Sequence, residues 1–377
     1  MRVLLLVPTL DEGGAEKQLA LLAIGLPRDR FDVTVGVLTR TGPRERMLRD
    51  AGVRIVEFRK RGKLDPTVLG RIGAELDAFR PDVVHTWIFA ANAYGRWAAL
   101  RRRVPVILGG ERCVDPWKRS WELAIDRYLA KRTTGIVTNS AGVRDFYASK
   151  GIPADRFHVI PNGIEPKEVD RVAARRELAA AIGLDDSAAG RASLIVTVGR
   201  LWPQKRHKDL IWGTELLRCV RDDAHLLVIG DGPERWRLTR FAEQVRIADR
   251  VHFLGHRSDA ARLVAGADQF WLGSGYEGQS NALMEAAAAG VPAVVSDIPG
   301  NRDLVIDGQT GLLFPVGDTA ALARAARRLL DDPGLAARLG AAAARRIRDD
   351  FTVARMIDTH AALYERLVRE ASRQTDR

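Results

Sequence analysis

The stretch Gln269-Phe270-Trp271-Leu272-Gly273, followed by Glu277-Gly278-Gln279-Ser280-Asn281-Ala282-Leu283-Met284-Glu285 and the Ala-rich run at 286–290, reads as strand, turn, helix. Ser280 or Asn281 suits the N-cap, which turns backbone N–H groups and the positive end of the helix dipole toward the preceding loop. An anion, most naturally a phosphate, fits there. Glu277 flanks that position from the loop, and Glu285 lies on the first turns of the helix. Carboxylates bind phosphates poorly and accept hydrogen bonds from sugar hydroxyls well. One anion position between two hydroxyl acceptors describes a nucleotide-sugar. The same residues also suit a plain capped helix with two solvated glutamates.

Working outward, the same strand–turn–helix unit recurs. Strand-like runs fall at 3–7, 33–38, 53–58, 83–85, 104–108, 136–138 and 158–160, with amphipathic stretches at 16–26, 44–51, 66–79, 91–101 and 141–150 between them. After the turn Pro161-Asn162-Gly163 come a polar helix at 168–182 and a loop at 183–192. A second series of strands follows at 194–198, 225–229, 251–254, 269–273, 293–296 and 311–314, alternating with helices that include 235–245, 260–265 and 319–331. Strands apolar throughout, alternating with helices, indicate parallel sheets covered on both faces. The expected organisation is two doubly wound α/β domains, 1–165 and 166–350, and a closing helical segment at 351–377, whose helix runs over 352–371.

Doubly wound sheets bind ligands beyond the carboxyl ends of their strands. Two such domains facing each other across a cleft would gather those ends. After the first strand, Gly13-Gly14-Ala15-Glu16 allows backbone to approach a ligand where a helix begins. An ordinary flexible turn explains it equally, and the dinucleotide pattern Gly-x-Gly-x-x-Gly is absent. After 194–198 comes Gly199-Arg200-Leu201-Trp202-Pro203-Gln204-Lys205. Here Gly199 permits a sharp exit, and the fork of Arg200 and the point charge of Lys205 can reach one diphosphate. Two such cations would stabilise a departing nucleoside diphosphate. Gly230-Asp231-Gly232-Pro233 reads as a structural turn. The loop at 254–259, which holds Arg257, can border a nucleobase, and Gly300-Asn301-Arg302-Asp303 can line the same site.

Composition sets the outer bounds. The chain has 377 residues, 46% of them hydrophobic, enough for two cores, and no apolar run long enough to span a membrane. Asp11 and Glu12 follow the first apolar run too soon for a secretion signal. Cys113 and Cys219, far apart, suit free thiols in a reducing cytoplasm. The histidines lack ligand spacing and no Asp-x-Asp pair occurs, so no metal cage is expected. The net charge is +11, and residues 1–160 hold about 28 Lys and Arg against about 18 Asp and Glu. The excess gathers at Arg59-Lys60-Arg61 with Lys63, Arg101-Arg102-Arg103, Lys118-Arg119 and Lys131-Arg132, with Trp117 and Trp121 beside the third cluster. A solvated arginine-rich surface, an anionic membrane surface and nucleic acid all fit such charge. No helix-turn-helix, RNA-binding sheet motif or zinc module supports nucleic acid.

Taken in order, Gly13-Gly14-Ala15-Glu16, Pro161-Asn162-Gly163-Ile164-Glu165, Arg200 with Lys205, the 230–233 turn and the Glu277…Glu285 pair resemble the family-4, "group 1" retaining glycosyltransferases of the GT-B fold. The likeness covers nearly the whole chain. It implies that Arg200 and Lys205 bind the donor diphosphate, with Gly199 at the loop's exit, and that Glu285 holds the ribose hydroxyls. Glu277 would contact the transferred sugar and act with Arg200 and Lys205 in catalysis. Backbone amides of Gly278, Ser280, Asn281, Ala282 and Leu283 would hold the distal phosphate and sugar, Gly13 and Gly14 would let the N-terminal loop close over that phosphate, and Arg257 would border the donor. It further implies no catalytic metal, no cofactor beyond a UDP- or GDP-sugar, and a closing helix that returns to the N-terminal domain.

One departure stands out. Many members carry a His after the strand at 104–108, where this chain reads Gly109-Gly110-Glu111-Arg112-Cys113. His85, at the end of the previous strand, is usual in the family but is a different position. Glu111 or Arg112 then becomes a candidate to face the acceptor, with His85 beside them. The resulting expectation is a cytoplasmic transferase, peripheral on the inner membrane face. It would move a sugar with retention to a glycan or lipid-linked acceptor in envelope, polysaccharide or glycolipid synthesis. The alternatives are a catalytically degenerate sugar- or lipid-binding protein, a GT-B phosphorylase or epimerase, and a nicotinamide or flavin oxidoreductase.

Overall fold

The computed structural model describes residues 1–62, 64–166 and 168–375, so Lys63 of the first basic cluster lies outside the described residues. The chain divides into two compact units, Met1–Gly163 with Thr352–Arg377, and Ile164–Phe351. Among the described residues unit 1 holds seven strands: β1 Arg2–Thr9, β2 Asp32–Arg40, β3 Arg54–Glu57, β4 Val83–Thr86, β5 Val106–Glu111, β6 Gly135–Thr138 and β7 Phe157–Val159. They lie in the order β3-β2-β1-β4-β5-β6-β7, every pairing parallel. Unit 2 holds β8 Ser193–Val198, β9 Ala224–Ile229, β10 Val251–Gly255, β11 Gln269–Leu272, β12 Ala293–Ser296 and β13 Leu312–Phe314. Their order is β10-β9-β8-β11-β12-β13, again all parallel.

Side-chain alternation explains why the strands read as unbroken apolar runs. Along β1, Val3, Leu5 and Val7 enter one core while Leu4 and Leu6 enter another on the opposite face. In unit 2, Leu194 and Val196 of β8 face one core and Ile195 the other. Both faces are dry, so neither needs polar residues. In each sheet the order reverses beside the unit's first strand, between β1 and β4 and between β8 and β11. Crossovers leave those two strands toward opposite faces, which opens a crevice at their carboxyl ends.

Helix boundaries follow local caps. The helix expected from 168 begins at Arg171, because the Asp170 carboxylate accepts the N–H groups of Val172 and Ala173 at 3.0 Å. The stretch 183–192, expected as a loop, contains the short helix Asp186–Arg191 capped by Asp185. The closing helix, Val353–Thr375, starts where Thr352 Oγ1 accepts the Arg355 N–H at 3.1 Å. Its Met356, Ile357, Tyr364 and Leu367 join the unit 1 core that Val3, Leu5 and Val7 enter.

Candidate functional site

In unit 2 the loops after β8 and β11 meet over the crevice. Lys205 ends a short 3-10 turn, Pro203–Lys205, and its side chain folds back over Gly199. Its ammonium meets Glu277 Oε1 at 2.5 Å, with the two side chains 18% and 10% exposed. A buried relay fixes Glu277 from below. Ser274 Oγ donates to Glu277 Oε1 (2.7 Å), Ser296 Oγ donates to the Ser274 carbonyl (2.6 Å), and Asn301 Nδ2 donates to the Ser296 carbonyl (2.8 Å). Two further bonds join the loops: Gln204 Nε2 to the Tyr276 carbonyl (2.8 Å) and the Gly275 N–H to the Gln204 carbonyl (2.9 Å). Arg200 is exposed, its guanidinium 5.5 Å from the Trp202 ring centroid.

The glycines here are spacers. Gly230 has φ +143°, and a Cβ there would lie 2.0 Å from the Gly199 carbonyl oxygen. The 230–233 turn thus backs the Arg200 loop, and the Leu201 N–H completes the contact on the Asp231 carbonyl at 2.9 Å. Gly300 does the same beneath Gly278, whose oxygen would meet a Cβ at 1.9 Å.

The helix after Glu277 is Asn281–Ala288, and its N-cap is Ser280, not Asn281. Ser280 Oγ accepts the Leu283 N–H at 3.4 Å, so one amide expected to face a phosphate is already engaged. Glu285 lies half-buried on the second turn, Ala282 is half-buried, and Leu283 packs in the core. Arg257 does not join this group. Glu177 accepts its guanidinium at 2.6 Å and Asp259 accepts it at 2.8 and 2.9 Å.

His207, unremarked in the sequence, opens the helix His207–Arg218 and is buried. Burial, and then the Lys205 charge, pushes its pKa down to about 4. Its neutral ring therefore reports on the neighbouring lysine.

In unit 1 the loops after β1, β4 and β5 carry the remaining candidates. Gly13 caps the helix Gly14–Gly25 with φ −84°, and the Glu16 carboxylate bends back to within 1.9 Å of where a Gly13 Cβ would stand. A carboxylate of the chain itself thus sits at the helix start where an anion was expected. His85 is sealed, shares a 2.7 Å hydrogen bond with Tyr364 of the closing helix, and packs beside Trp87 and His360. Burial, with His360 and Arg112 nearby, holds its pKa well below the ordinary imidazole range.

Glu111 faces protein, not an open surface. It accepts from Asn92 Nδ2 (3.0 Å) and from the Lys118 ammonium (3.3 and 3.2 Å), which also donates to Asp126 (2.9 Å), itself paired with Arg96 (3.1 Å). Asp115 is the third carboxylate, 3.7 Å from Lys118. Two buried acids and the half-buried Asp115 against two buried bases leave one negative charge too many. Burial, opposed by Lys118, pushes Glu111 up to about 7. The expectation that Glu111 faces an acceptor hydroxyl is therefore corrected.

Arg112, the next residue, has the opposite fate. Its guanidinium lies 4.4 Å from the Trp87 ring centroid and donates to Asn162 Oδ1, while Nε and Nη1 have no hydrogen-bond partner. Burial pulls its pKa down, and no carboxylate answers it.

Comparison with known proteins bears on this geometry. The family described as "Glycosyl transferases group 1" matches residues 186–346, and "Glycosyltransferase Family 4" matches 12–168. The chain belongs to the group 1, family-4 glycosyltransferases. A glycogen synthase of Mycobacterium tuberculosis is 32% identical over 287 residues, 73% of this glycosyltransferase and 66% of the relative. An Escherichia coli UDP-Gal:α-D-GlcNAc-diphosphoundecaprenol α-1,3-galactosyltransferase is 26% identical over 302 residues, 75% of each chain. The glycosyltransferase thus spans about two thirds to three quarters of these relatives' lengths. Anabaena HepE, crystallised with UDP-glucose, superposes with a TM-score of 0.85 at 22% identity over 97% of this chain and 99% of its own, which establishes the GT-B fold.

The sequence missed the relay of Ser274, Ser296 and Asn301 beneath Glu277. A signal was present: a hydroxyl residue closes β12 and another directly follows Gly273, both at carboxyl ends of neighbouring strands. Lys118, counted as surface charge, is sealed inside the glycosyltransferase. Among the described residues no group of three His, Cys, Asp or Glu side chains gathers to hold a metal. Among them, too, no helix is long and apolar enough to cross a membrane.

Proposed function

We propose that this glycosyltransferase moves a sugar from a nucleoside diphosphate donor to an acceptor hydroxyl with retention of configuration and without a catalytic metal. The observation that carries the proposal is the Lys205–Glu277 pair, partly open to water and held by a buried relay at the β8/β11 switch point. An arriving diphosphate can take the Lys205 ammonium from Glu277, while Arg200 closes on it from the exposed side of the loop. These two cations then supply the charge that a metal would otherwise bring to the leaving group.

Amides around Gly278 and Asn281 would hold the distal phosphate and sugar, Glu277 the sugar hydroxyls and Glu285 the ribose. The acceptor oxygen attacks the anomeric carbon on the face the phosphate leaves, and its proton passes to the departing phosphate oxygen. No side-chain base is needed on that face. HepE binds UDP-glucose, which favours a UDP-sugar over a GDP-sugar here. Unit 1 would bind the acceptor through Arg112, and the galactosyltransferase relative's acceptor favours a lipid-linked glycan in envelope synthesis. A cytoplasmic enzyme attached to the inner membrane face fits that acceptor.

The test is a panel of nucleotide-sugars scored by thermal shift and by released nucleoside diphosphate, on wild type and on Arg200→Ala. One donor should stabilise wild type and turn over, and Arg200→Ala should lose most of both. Unchanged turnover in Arg200→Ala, or release requiring added divalent metal, would refute the mechanism.

A further inference from the structure

Six of the eight tryptophans are exposed: Trp97 (36%), Trp117 (57%), Trp121 (53%), Trp202 (50%), Trp212 (41%) and Trp236 (60%). Tryptophan is highly buried on average; a single exposed one is ordinary, and exposed ones that cluster mark a surface with a partner. Two of the six, Trp97 and Trp121, stand on adjoining helices of unit 1, Ile88–Arg101 and Ser120–Ala130. Two ring pairs join these helices, Phe89 to Trp121 (6.0 Å) and Trp97 to Tyr128 (5.8 Å). Spacing keeps the rings on one side: Phe89, Trp97 and Arg101 fall at intervals of eight and four, and Trp121 and Tyr128 are seven apart. Cations cap the rings, Arg101 5.5 Å from the Trp97 centroid and Arg132 3.7 Å from that of Tyr128.

Charge on this face is one-sided. Helix Ile88–Arg101 contains no acid, and both acids of helix Ser120–Ala130, Glu122 and Asp126, are buried. Arg101, Arg119, Arg127, Lys131 and Arg132 are all exposed. In unit 2, by contrast, Glu243 stands exposed in the groove that Trp236 lines with Arg235 and Arg240. Amphipathic rings with fixed arginines and no exposed carboxylate on either helix, the nearby Asp77 being paired with Arg102, match an interface of acyl chains beneath anionic headgroups. Duplex nucleic acid would satisfy the charge and leave the ring stripe without a role.

We propose that the outer face of helices Ile88–Arg101 and Ser120–Ala130 docks on anionic lipid bilayers, with Trp97, Trp121 and Tyr128 entering the headgroup layer and Arg101 and Arg132 pairing with lipid phosphates. The proposal gives the membrane attachment suggested above a location, and it is independent of the donor chemistry.

Flotation of the full chain with vesicles of phosphatidylglycerol and phosphatidylcholine, and of phosphatidylcholine alone, tests it at low and high salt. Wild type should float with the anionic vesicles at low salt and at least about tenfold less with the neutral ones. Arg101→Glu with Arg132→Glu should lower partitioning about tenfold or more, as should Trp97→Ser with Trp121→Ser. Trp212→Ser with Trp236→Ser should leave it unchanged. Thermal stabilisation by UDP, measured on each variant, separates this face from the donor site and confirms folding. If UDP stabilises every variant while the unit 1 pairs float like wild type, the docking face is wrong and the enzyme reading stands. Failure of wild type to float on anionic vesicles at low salt, or its equal displacement by duplex DNA, would also overturn the proposal.

Discussion

In unit 2 the Lys205 ammonium meets Glu277 with both side chains partly open to water (18% and 10%), whereas in unit 1 Lys118 meets Glu111 and Asp126 with all three sealed (0%, 4% and 1%). Each pair brings a loop lysine to a glutamate at the carboxyl end of a parallel sheet. Solvent makes the difference. A sealed lysine that leaves its carboxylates has nothing to replace them, so the unit 1 array locks the end of β5 to the helix Ser120–Ala130. A lysine open on one side can trade its carboxylate for a phosphate at small cost. Similar chemistry at two depths thus gives one structural clamp and, on the proposed function, one exchangeable anion site.

The sharpest way to break this comparison is Lys118→Met. Removing one partner of a buried ionic array typically costs about 3–5 kcal/mol, because the remaining charges stay unpaired. Chemical denaturation should show a loss of that size in unit 1, and a loss under about 1 kcal/mol would mean that the array is not sealed. The matching deletion in unit 2, Lys205→Ala, should cost less, about 1–3 kcal/mol, because Glu277 keeps its Ser274 hydrogen bond and some access to water. It should also lower kcat/KM about 10²- to 10³-fold, or roughly 3–4 kcal/mol of transition-state stabilisation. A stability loss as large as that of Lys118→Met would erase the distinction.

These two lysines also show where the sequence was legible. Every strand could be read, because most are dry on both faces and such a parallel strand is a short apolar run between turns, while the edge strand Arg54–Glu57 still carries Ile55 and Val56 at its centre. The helix Ser120–Ala130 could not. Its Glu122 and Asp126 point inward to the N-cap and to Lys118, while Trp121 and Tyr128 face out, so its polarity is inverted and the usual periodicity misreads it. The helix Asp186–Arg191 is too short to carry a pattern. Glu111 and Arg112 are consecutive at a strand end and point to different surroundings, and spacing alone does not say which one finds Lys118. The Arg200, Lys205 and Glu277 loops were legible because glycine exits and charged residues after apolar runs are rare. The relay under Glu277 was not, because it joins loops distant in sequence.

Titration offers a smaller effect and a finer test. His207 is held down to about 4 by burial and by Lys205. A base whose folded pKa lies below its ordinary 6.5 stabilises the fold fully above 6.5 and loses that contribution as pH falls toward 4. The loss amounts to at most about 3 kcal/mol for His207. His252, held down to about 4, and His360, held down to about 3, add to the same acid limb. Glu111, held up at about 7, opposes this limb, but three depressed histidines outweigh it, so denaturation midpoints should fall between pH 6.5 and 4, less steeply in His207→Gln. Lys205→Ala removes the second cause, so the His207 ring resonance should titrate at higher pH in that variant. No movement would mean that Glu277 already cancels the Lys205 charge, and the pair would then resemble its sealed counterpart.

The smallest expected effect tests how the open site holds its anion. Ser280 caps the helix Asn281–Ala288 through a long bond, 3.4 Å to the Leu283 N–H. Replacing an N-cap serine by alanine usually costs about 1 kcal/mol, and a bond this long should place Ser280→Ala near about 0.5 kcal/mol. The same change releases the Leu283 amide toward the loop. If backbone amides and the helix dipole hold the donor's distal phosphate, UDP affinity by calorimetry should stay within about threefold of wild type or tighten, since no phosphate contact is lost. A tenfold loss would show that the Ser280 hydroxyl touches the ligand directly. The unit 2 site would then depend on a side chain at its helix start as much as on Lys205, and exposure of the Lys205–Glu277 pair would no longer explain by itself why unit 2 would exchange anions and unit 1 would not.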